Sequence, residues 1–372
     1  LPRQFLALLF VPVLYLQAFG INLASPSPDL PVFLLGVIVS ERLLTLLGGA
    51  GAPLIQPGGL ASADRAGDAN PAEGKVRAAL SILVLAAAGA SIKLSFAPFA
   101  IVACTIATVF LVRHRPKNSH VALTAAMLAF LLGSAWIGRN IMLSGYPLYP
   151  SPLFQFPVAW AVPRERVVEL QSMILAYGRE PNLPWQTVLS SSDWYQSWAA
   201  RIWRDQKMLL IAPFAGFVAA FALSLVSGRR RPARIWLFAV PALSSLVFWF
   251  FTSPEPRFAG AVSLVLGAGG FAILLNQFQS TRMLRAVDAL ILITLLAAAL
   301  LPLRKNREVV FDRVHETPRA DLKEFITDSG LKLYVPAVGN QCWDAPLPCS
   351  AERNPKLRLI RPGDLRSGFS VK

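Results

Sequence analysis

Nine runs of mainly apolar residues divide this chain of 372 residues; they lie near 5–20, 30–47, 77–91, 96–112, 120–138, 208–227, 235–252, 259–275 and 286–303. A helix that crosses a bilayer needs roughly 20 such residues, and about 17 can suffice. Backbone amides find no partner in hydrocarbon, so runs of this kind are confined to helices whose hydrogen bonds close within the segment. Composition points the same way, with 54% of residues hydrophobic and 15% charged, against about 25% charged in an average soluble domain. An ordinary cytosolic enzyme does not fit these values. The spacing predicts an all-α polytopic membrane protein with about nine transmembrane helices. The first and third runs are short, as tilted or partly interfacial helices would be. The third and fourth read as one long run broken at Ser91–Pro98, since proline interrupts a helix. Leu1 stands where a methionine is expected and no secretory n-region precedes the first run, so the chain reads as cut from a longer one.

The 36 Lys and Arg exceed the 21 Asp and Glu by 15, and the placement of this surplus gives an orientation. Arg113, Arg115 and Lys117 sit in one short connection, Arg229, Arg230, Arg231 and Arg234 in a second, and Arg282 and Arg285 in a third, with no acidic residue among them. Basic residues accumulate on the cytoplasmic side of short loops, which puts these three connections inside. The clusters are short, separated by spans and not interleaved with aromatic residues, so no nucleic-acid partner is expected. Alternation then puts 21–29, the turn 92–95, the loop 139–207, the turn 253–258 and the tail from Arg304 on the outer side. The expected domains are a transmembrane region over 1–303 and a small α/β extracytoplasmic domain over 304–372.

Cysteine usage supports an outer tail. Cys342 and Cys349 both fall in it, whereas Cys104 stands alone within an apolar run. The spacing is not a common zinc pattern and no histidine is near, which leaves a disulfide as the favoured reading over free thiols. Within the tail, ADLKEFITDSG at 320–330 has the spacing of a short amphipathic helix ended by glycine. LKLYVP at 331–336 and LRLI at 357–360 read as strands.

The two longest connections differ in kind. Residues 48–75 are rich in Gly, Ala and Pro and read as a flexible inner linker, without the Gly-Lys-Ser/Thr ending of a phosphate loop. The outer loop 139–207 carries Trp160, Trp185, Trp194, Trp198 and Trp203 with Tyr146, Tyr149, Tyr177 and Tyr195. Residues 163–178 and 192–207 suit amphipathic helices lying on the outer leaflet. A belt at the membrane–water interface explains most of these rings; a wall for a lipid headgroup or a sugar is the sharper reading.

Charged groups at the outer face are the candidates for chemistry. Arg257, in FTSPEPRFAGA at 251–261, offers a planar fork that binds phosphate through two hydrogen bonds, and snorkelling is the alternative. Lys93, in ASIKLSFAP, suits a second phosphate oxygen or a helix-end anchor. Asp29, in SPSPDLP, most simply caps the helix that follows; it can also act as a general base or hold a divalent metal. Arg139 and Asn140 lead into SGYPLYPSP at 144–152, facing the same compartment as Arg257. Glu41 and Arg42 pair or snorkel near the inner end of their run. His114, His120 and His315 do not cluster.

RNIMLSGYPLYP at 139–150 and SPEPRFAGAVSLVLG at 253–267 resemble the GT-C class of polytopic membrane glycosyltransferases, including protein mannosyltransferases and bacterial aminoarabinose transferases. The matching residues are Gly145, Tyr146, Pro147, Tyr149 and Pro150, then Glu255, Arg257 and Phe258, with Lys93 in the place of a lysine-bearing span end. The class has an asparagine at Tyr146, a tyrosine at Phe258, and a proline absent from FAGAV. The resemblance implies transfer of a sugar from a polyprenyl-phosphate donor, on the outer face of a bacterial inner membrane, to an envelope glycan, lipid or protein acceptor. Arg257, Lys93, Arg139, Tyr146, Tyr149 and Glu255 would bind substrate. The class activates the attacking hydroxyl with an aspartate after a first span that has no counterpart here. That aspartate is expected upstream of Leu1, and Asp29 stands as the candidate catalytic carboxylate within the chain. A transporter or flippase of a lipid-linked glycan and a non-catalytic assembly protein are the rival expectations; the first calls for intramembrane charges along a path and for repeated halves.

Overall fold

The computed structural model describes residue 5 and residues 28–48, 71–114, 119–226, 233–275, 319–339, 341–351 and 353–371. Beyond Phe5, the run expected at 5–20 lies outside the described residues. So do the run at 286–303, residues 49–70 of the linker expected over 48–75, whose residues 71–75 are instead helical, and the basic residues Arg115, Lys117, Arg229, Arg230, Arg231, Arg282 and Arg285.

Among the described residues the chain is mostly helical. The apolar helices are α1 (Asp29–Leu47), α2 (Pro71–Ile92), α3 (Ala97–His114) and α4 (Ser119–Ser144), and later α8 (Ala212–Val226), α9 (Ala239–Thr252) and α11 (Val262–Leu275). Five helical stretches are long and apolar enough to cross a membrane: Asp29–Leu47, Ala72–Ile92, Leu94–His114, His120–Ser144 and Arg234–Thr252. Ala212–Val226 and Val262–Leu275 are apolar but shorter. These seven coincide with seven of the nine expected runs. The third run is not short, because α2 begins at Pro71, a residue suited to a first helical position, and carries Glu73, Lys75 and Arg77 in its opening turns before the apolar stretch.

The expected break between the third and fourth runs is present. Lys93 is extended, at φ −146° and ψ 121°, and leads into a single 3₁₀ turn at Leu94–Phe96 before α3. Pro98 has no N–H to give and its ring opposes the carbonyl four residues back, so α2 cannot run on into α3. The core joins α1 to α2 and α2 to α3, with Phe33, Leu43, Leu44, Ile82, Phe99, Phe238, Leu266 and Ile273 fully or almost fully buried. Helix α4 is different, since Leu128, Phe130, Leu131 and Met142 along its length are exposed. A helix apolar on all sides with most of its surface bare suits a hydrocarbon surrounding rather than water.

Between α4 and α8 lie α5 (Arg164–Arg179), α6 (Trp185–Ser190) and α7 (Trp194–Asp205), then one π-helical turn at Lys207–Ile211. Helices α5 and α7 are the two amphipathic helices anticipated in this loop. After α9 comes the short α10 (Pro256–Ala259).

The chain divides into two compact units, Leu1–Gln155 with Pro163–Pro302 and Phe156–Val162 with Leu303–Lys372. In the second, β1 (Leu322–Ile326) pairs antiparallel with β2 (Lys332–Pro336), and β3 (Leu357–Leu359) with β4 (Phe369–Val371). The helix anticipated at 320–330 is therefore a strand and a turn. Leu322, Phe325 and Ile326 suit either period over so few residues, and pairing with β2 decides it. Gly330, anticipated as a helix stop, instead has φ +79° in the hairpin turn, a conformation glycine adopts without strain. No α-helix occurs among the described residues of the tail, so the α/β expectation there gives way to two hairpins and a 3₁₀ turn at Leu365–Ser367. The anticipated strands at 331–336 and 357–360 are present. Cys342 and Cys349 form a disulfide, and Cys349 bridges to Tyr334 on the side of β2 away from β1.

Candidate functional site

The turn at 253–257, between α9 and α11, is gripped from three helices. Ser253 is buried and its hydroxyl donates to the Ile174 carbonyl of α5 at 2.9 Å. From α7, the Trp198 indole N–H donates to the Pro254 carbonyl at 2.8 Å. From α9, the Trp249 indole donates to the Glu255 carbonyl at 2.7 Å. Arg201 of α7 closes the arrangement, with Nη1 at 3.1 Å from Glu255 Oε2 and Nη2 donating to the Gly178 carbonyl at 2.9 Å. Gly178 allows the close approach, because a Cβ there would lie 2.8 Å from the Pro254 nitrogen. Trp194, Trp198, Trp249 and Phe250 pack against one another around the turn. Each neutral bond contributes about 1 kcal/mol and each of the two from the Arg201 guanidinium roughly 1.5–3 kcal/mol. The turn's backbone is thus fixed before any ligand arrives.

This grip presents Arg257. Its guanidinium lies 4.9 Å from the Phe258 ring centre and 6.0 Å from that of Tyr177. The side chain is exposed, and no described carboxylate lies within ion-pairing distance of it. Cation–π contact leaves the N–H fork unspent. Lys93 approaches the same ring, with its Nζ 4.8 Å from the centre.

Arg257, Phe258, Lys93 and Asp29 line one narrow cleft, with a cavity volume of about 20 Å³, whose walls include Phe96, Phe99 and Ser245. Lys93 and Asp29 are ion-paired within it, their side chains 16% and 18% exposed. Each charge stands where a helix end favours it, the carboxylate in the first turn of α1 and the ammonium just past the last turn of α2. Pro28 occupies the N-cap position, and Asp29 is the first residue of the helix. One Asp29 oxygen accepts from Lys93, 64 residues away, a partner its neighbours in sequence do not suggest. Two cations and one carboxylate at the mouth of an apolar helix cluster can take up an anion such as a phosphate.

The remaining candidates lie apart from the cleft wall. Glu255 is committed to Arg201 and so stiffens the turn that carries Arg257. Arg139 is exposed on the last two turns of α4. Tyr146 is fully buried and its hydroxyl has no hydrogen-bond partner. Its turn is set by Asn140, which donates to the Pro147 carbonyl at 3.2 Å, and by the Ser144 hydroxyl, which accepts from the Tyr146 N–H at 3.1 Å. Tyr149 is half-buried, and desolvation raises its phenol above the usual value. Burial likewise lowers the Arg179 guanidinium, which stacks 4.5 Å from the Trp194 ring. Among the described residues no three of His, Cys, Asp and Glu converge as a metal site. Among the described residues Asp29 is the one carboxylate lining the cleft.

Arg201 is the positioning residue that sequence reasoning missed. Trp194, Trp198 and Arg201 are four and three residues apart and so share one face of α7. An arginine set into a tryptophan stripe is the signal that was there to be read.

Residues 2–264 match a family described as a domain of unknown function, DUF8201. The chain belongs to this family. The match takes in the charged residues of the cleft, Asp29, Lys93 and Arg257, and stops short of the hairpins of the tail. No curated protein and no solved structure matches the chain.

Proposed function

We propose that this protein is a membrane glycosyltransferase of GT-C type, moving a sugar from a polyprenyl-phosphate carrier to an envelope glycan, lipid or protein acceptor. The observation that carries the reading is Arg257, a guanidinium with free donors on a rigid turn, opening onto the cleft that also holds Lys93 and Asp29. In this reading the acceptor hydroxyl attacks the sugar's anomeric carbon and the bond to phosphate breaks. The carrier phosphate leaves with the electron pair, and Arg257 stabilises the charge that develops on it. Lys93 engages a second phosphate oxygen and in doing so releases Asp29, which accepts the proton from the hydroxyl. The exposed rings of α5 and α7 rest in the outer leaflet and guide the carrier's chain.

The same reading sets the topology at nine spans, with the cleft and the tail on the outer side of a bacterial inner membrane. Three features support it: basic inner loops, a disulfide suited to an oxidising compartment, and five apolar helices of spanning length. The test is sugar transfer in membrane vesicles supplied with labelled polyprenyl-phosphate sugars, comparing the native protein with Arg257→Ala. Transfer is expected to fall by about two orders of magnitude, as loss of a charge-stabilising donor does elsewhere. Transfer indifferent to the substitution removes the site. Vectorial movement of the carrier without transfer replaces the enzyme with a flippase.

A further inference from the structure

The second unit holds a groove of about 840 Å³ that has no part in the cleft just described. Its framework is fixed by backbone and hydroxyl bonds. The Asp328 N–H donates to the Pro355 carbonyl at 2.8 Å, and the Ser329 hydroxyl to the Leu357 carbonyl at 3.1 Å. These join the β1–β2 turn to the start of β3. Trp160, Ser329, Lys332, Arg358, Phe369 and Ser370 contribute to the lining, and among the described residues no acidic side chain does.

The chemistry of this lining is unusual for a surface that serves only to be wetted. Trp160 is 53% and Phe369 42% exposed, so two ring faces stand open to solvent. Arg358, opposite Ser370 in the β3–β4 register, has no carboxylate within reach among the described residues. Lys332 is shared with Glu324 at 2.6 Å and keeps donors to spare. Flat rings meet the apolar faces of pyranoses, hydroxyls and guanidinium forks meet their oxygens, and Arg358, with no described carboxylate within reach, favours negative charge.

We propose that this groove binds an anionic saccharide, with Trp160 as the stacking platform and Arg358 as the fork for a carboxylate or phosphate on the sugar. Under the glycosyltransferase reading it retains the acceptor; the binding itself does not depend on that reading. The test is calorimetric titration of the full chain in nanodiscs with a galacturonic acid hexasaccharide, and with maltohexaose as a neutral probe of equal length. The native protein is expected to bind the acidic probe and not the neutral one. Trp160→Ala and Arg358→Ala should each weaken binding by about tenfold, and Arg358→Lys should restore only part of it because the fork is lost. Both residues are surface-exposed, so neither variant endangers folding. Arg257→Ala should leave this binding unchanged, which separates failure of the groove from failure of the transfer reaction. Absence of binding at millimolar acidic probe overturns the proposal. So does equal binding of maltohexaose, binding indifferent to both alanine variants, or displacement by short-chain phosphatidylglycerol, which would make the groove a lipid site.

Discussion

Gly178→Ala is the sharpest test of the claim that the Arg257 turn is held from outside. An added Cβ would meet Ser253 Oγ at 2.5 Å and, at 2.8 Å, both the Ser253 carbonyl carbon and the Pro254 nitrogen. The hydroxyl can rotate away, but the two backbone atoms cannot. Ordinary contact begins near 3.4 Å, so the turn must retreat by about 0.6 Å or α5 must shift as far, in a region packed at interior density. Overpacking of this kind costs about 1–3 kcal/mol, and displacement of the Ser253 hydroxyl from the Ile174 carbonyl adds roughly 1 kcal/mol. Alanine's better helix propensity returns about 0.5–1 kcal/mol, leaving a net loss of about 1–3 kcal/mol. The assay is the thermal unfolding midpoint in detergent, read beside Gly133→Ala and Gly216→Ala, whose Cβ positions have nothing within 4 Å. The controls should match or exceed the native midpoint while Gly178→Ala falls clearly below it. A Gly178→Ala protein as stable as Gly133→Ala would refute the gripped turn.

Arg201→Ala leaves the Glu255 carboxylate, 17% exposed, without its cation; a loss of roughly 1.5–3 kcal/mol is expected in the same assay, with Arg201→Lys recovering only part because it cannot reach both Glu255 and Gly178. Asp29→Asn leaves the Lys93 ammonium without a counter-charge in a mostly buried place, a destabilisation of about 3 kcal/mol. In equilibrium binding it should hold inorganic phosphate more tightly than native protein, and unchanged phosphate affinity would argue against a shared anion cleft. Cys342→Ser with Cys349→Ser opens a short loop worth about 2–3 kcal/mol on the chain-entropy model. Faster amide exchange at Tyr334 and Ser350, whose backbones pair across the staple, is the expected sign, and unaltered exchange would show that the hairpin stands without it. A cysteine placed at Thr252, with Cys104 replaced by alanine, should react with impermeant maleimide from the outer side; labelling only from the inner side reverses the topology.

Apolar length is written into local sequence, which is why seven helices were legible and the break at Lys93 could be placed from Pro98. The two amphipathic helices of the long loop were legible for the same reason. What was not legible depended on partners far along the chain. Asp29 looks like a cap when only its neighbours are considered, because the lysine that claims it is 64 residues away. Glu255 sits in a motif that suggests substrate, yet its partner Arg201 is 54 residues upstream. Tyr146 carries a hydroxyl that suits a binding wall, and packing buries it entirely. The strand at 322–326 is too short for its period to tell helix from sheet.

Phe258 stands where the resembling class has a tyrosine, and the difference alters how the cleft answers to alkali. A phenol lying against both Lys93 and Arg257 would ionise below its normal value, and its anion would quench the two positive groups beside it. A phenyl ring has no proton to surrender. It attracts both cations through its quadrupole alone, so the electrical character of the cleft rests on Asp29, Lys93 and Arg257, with no ionisable ring between them.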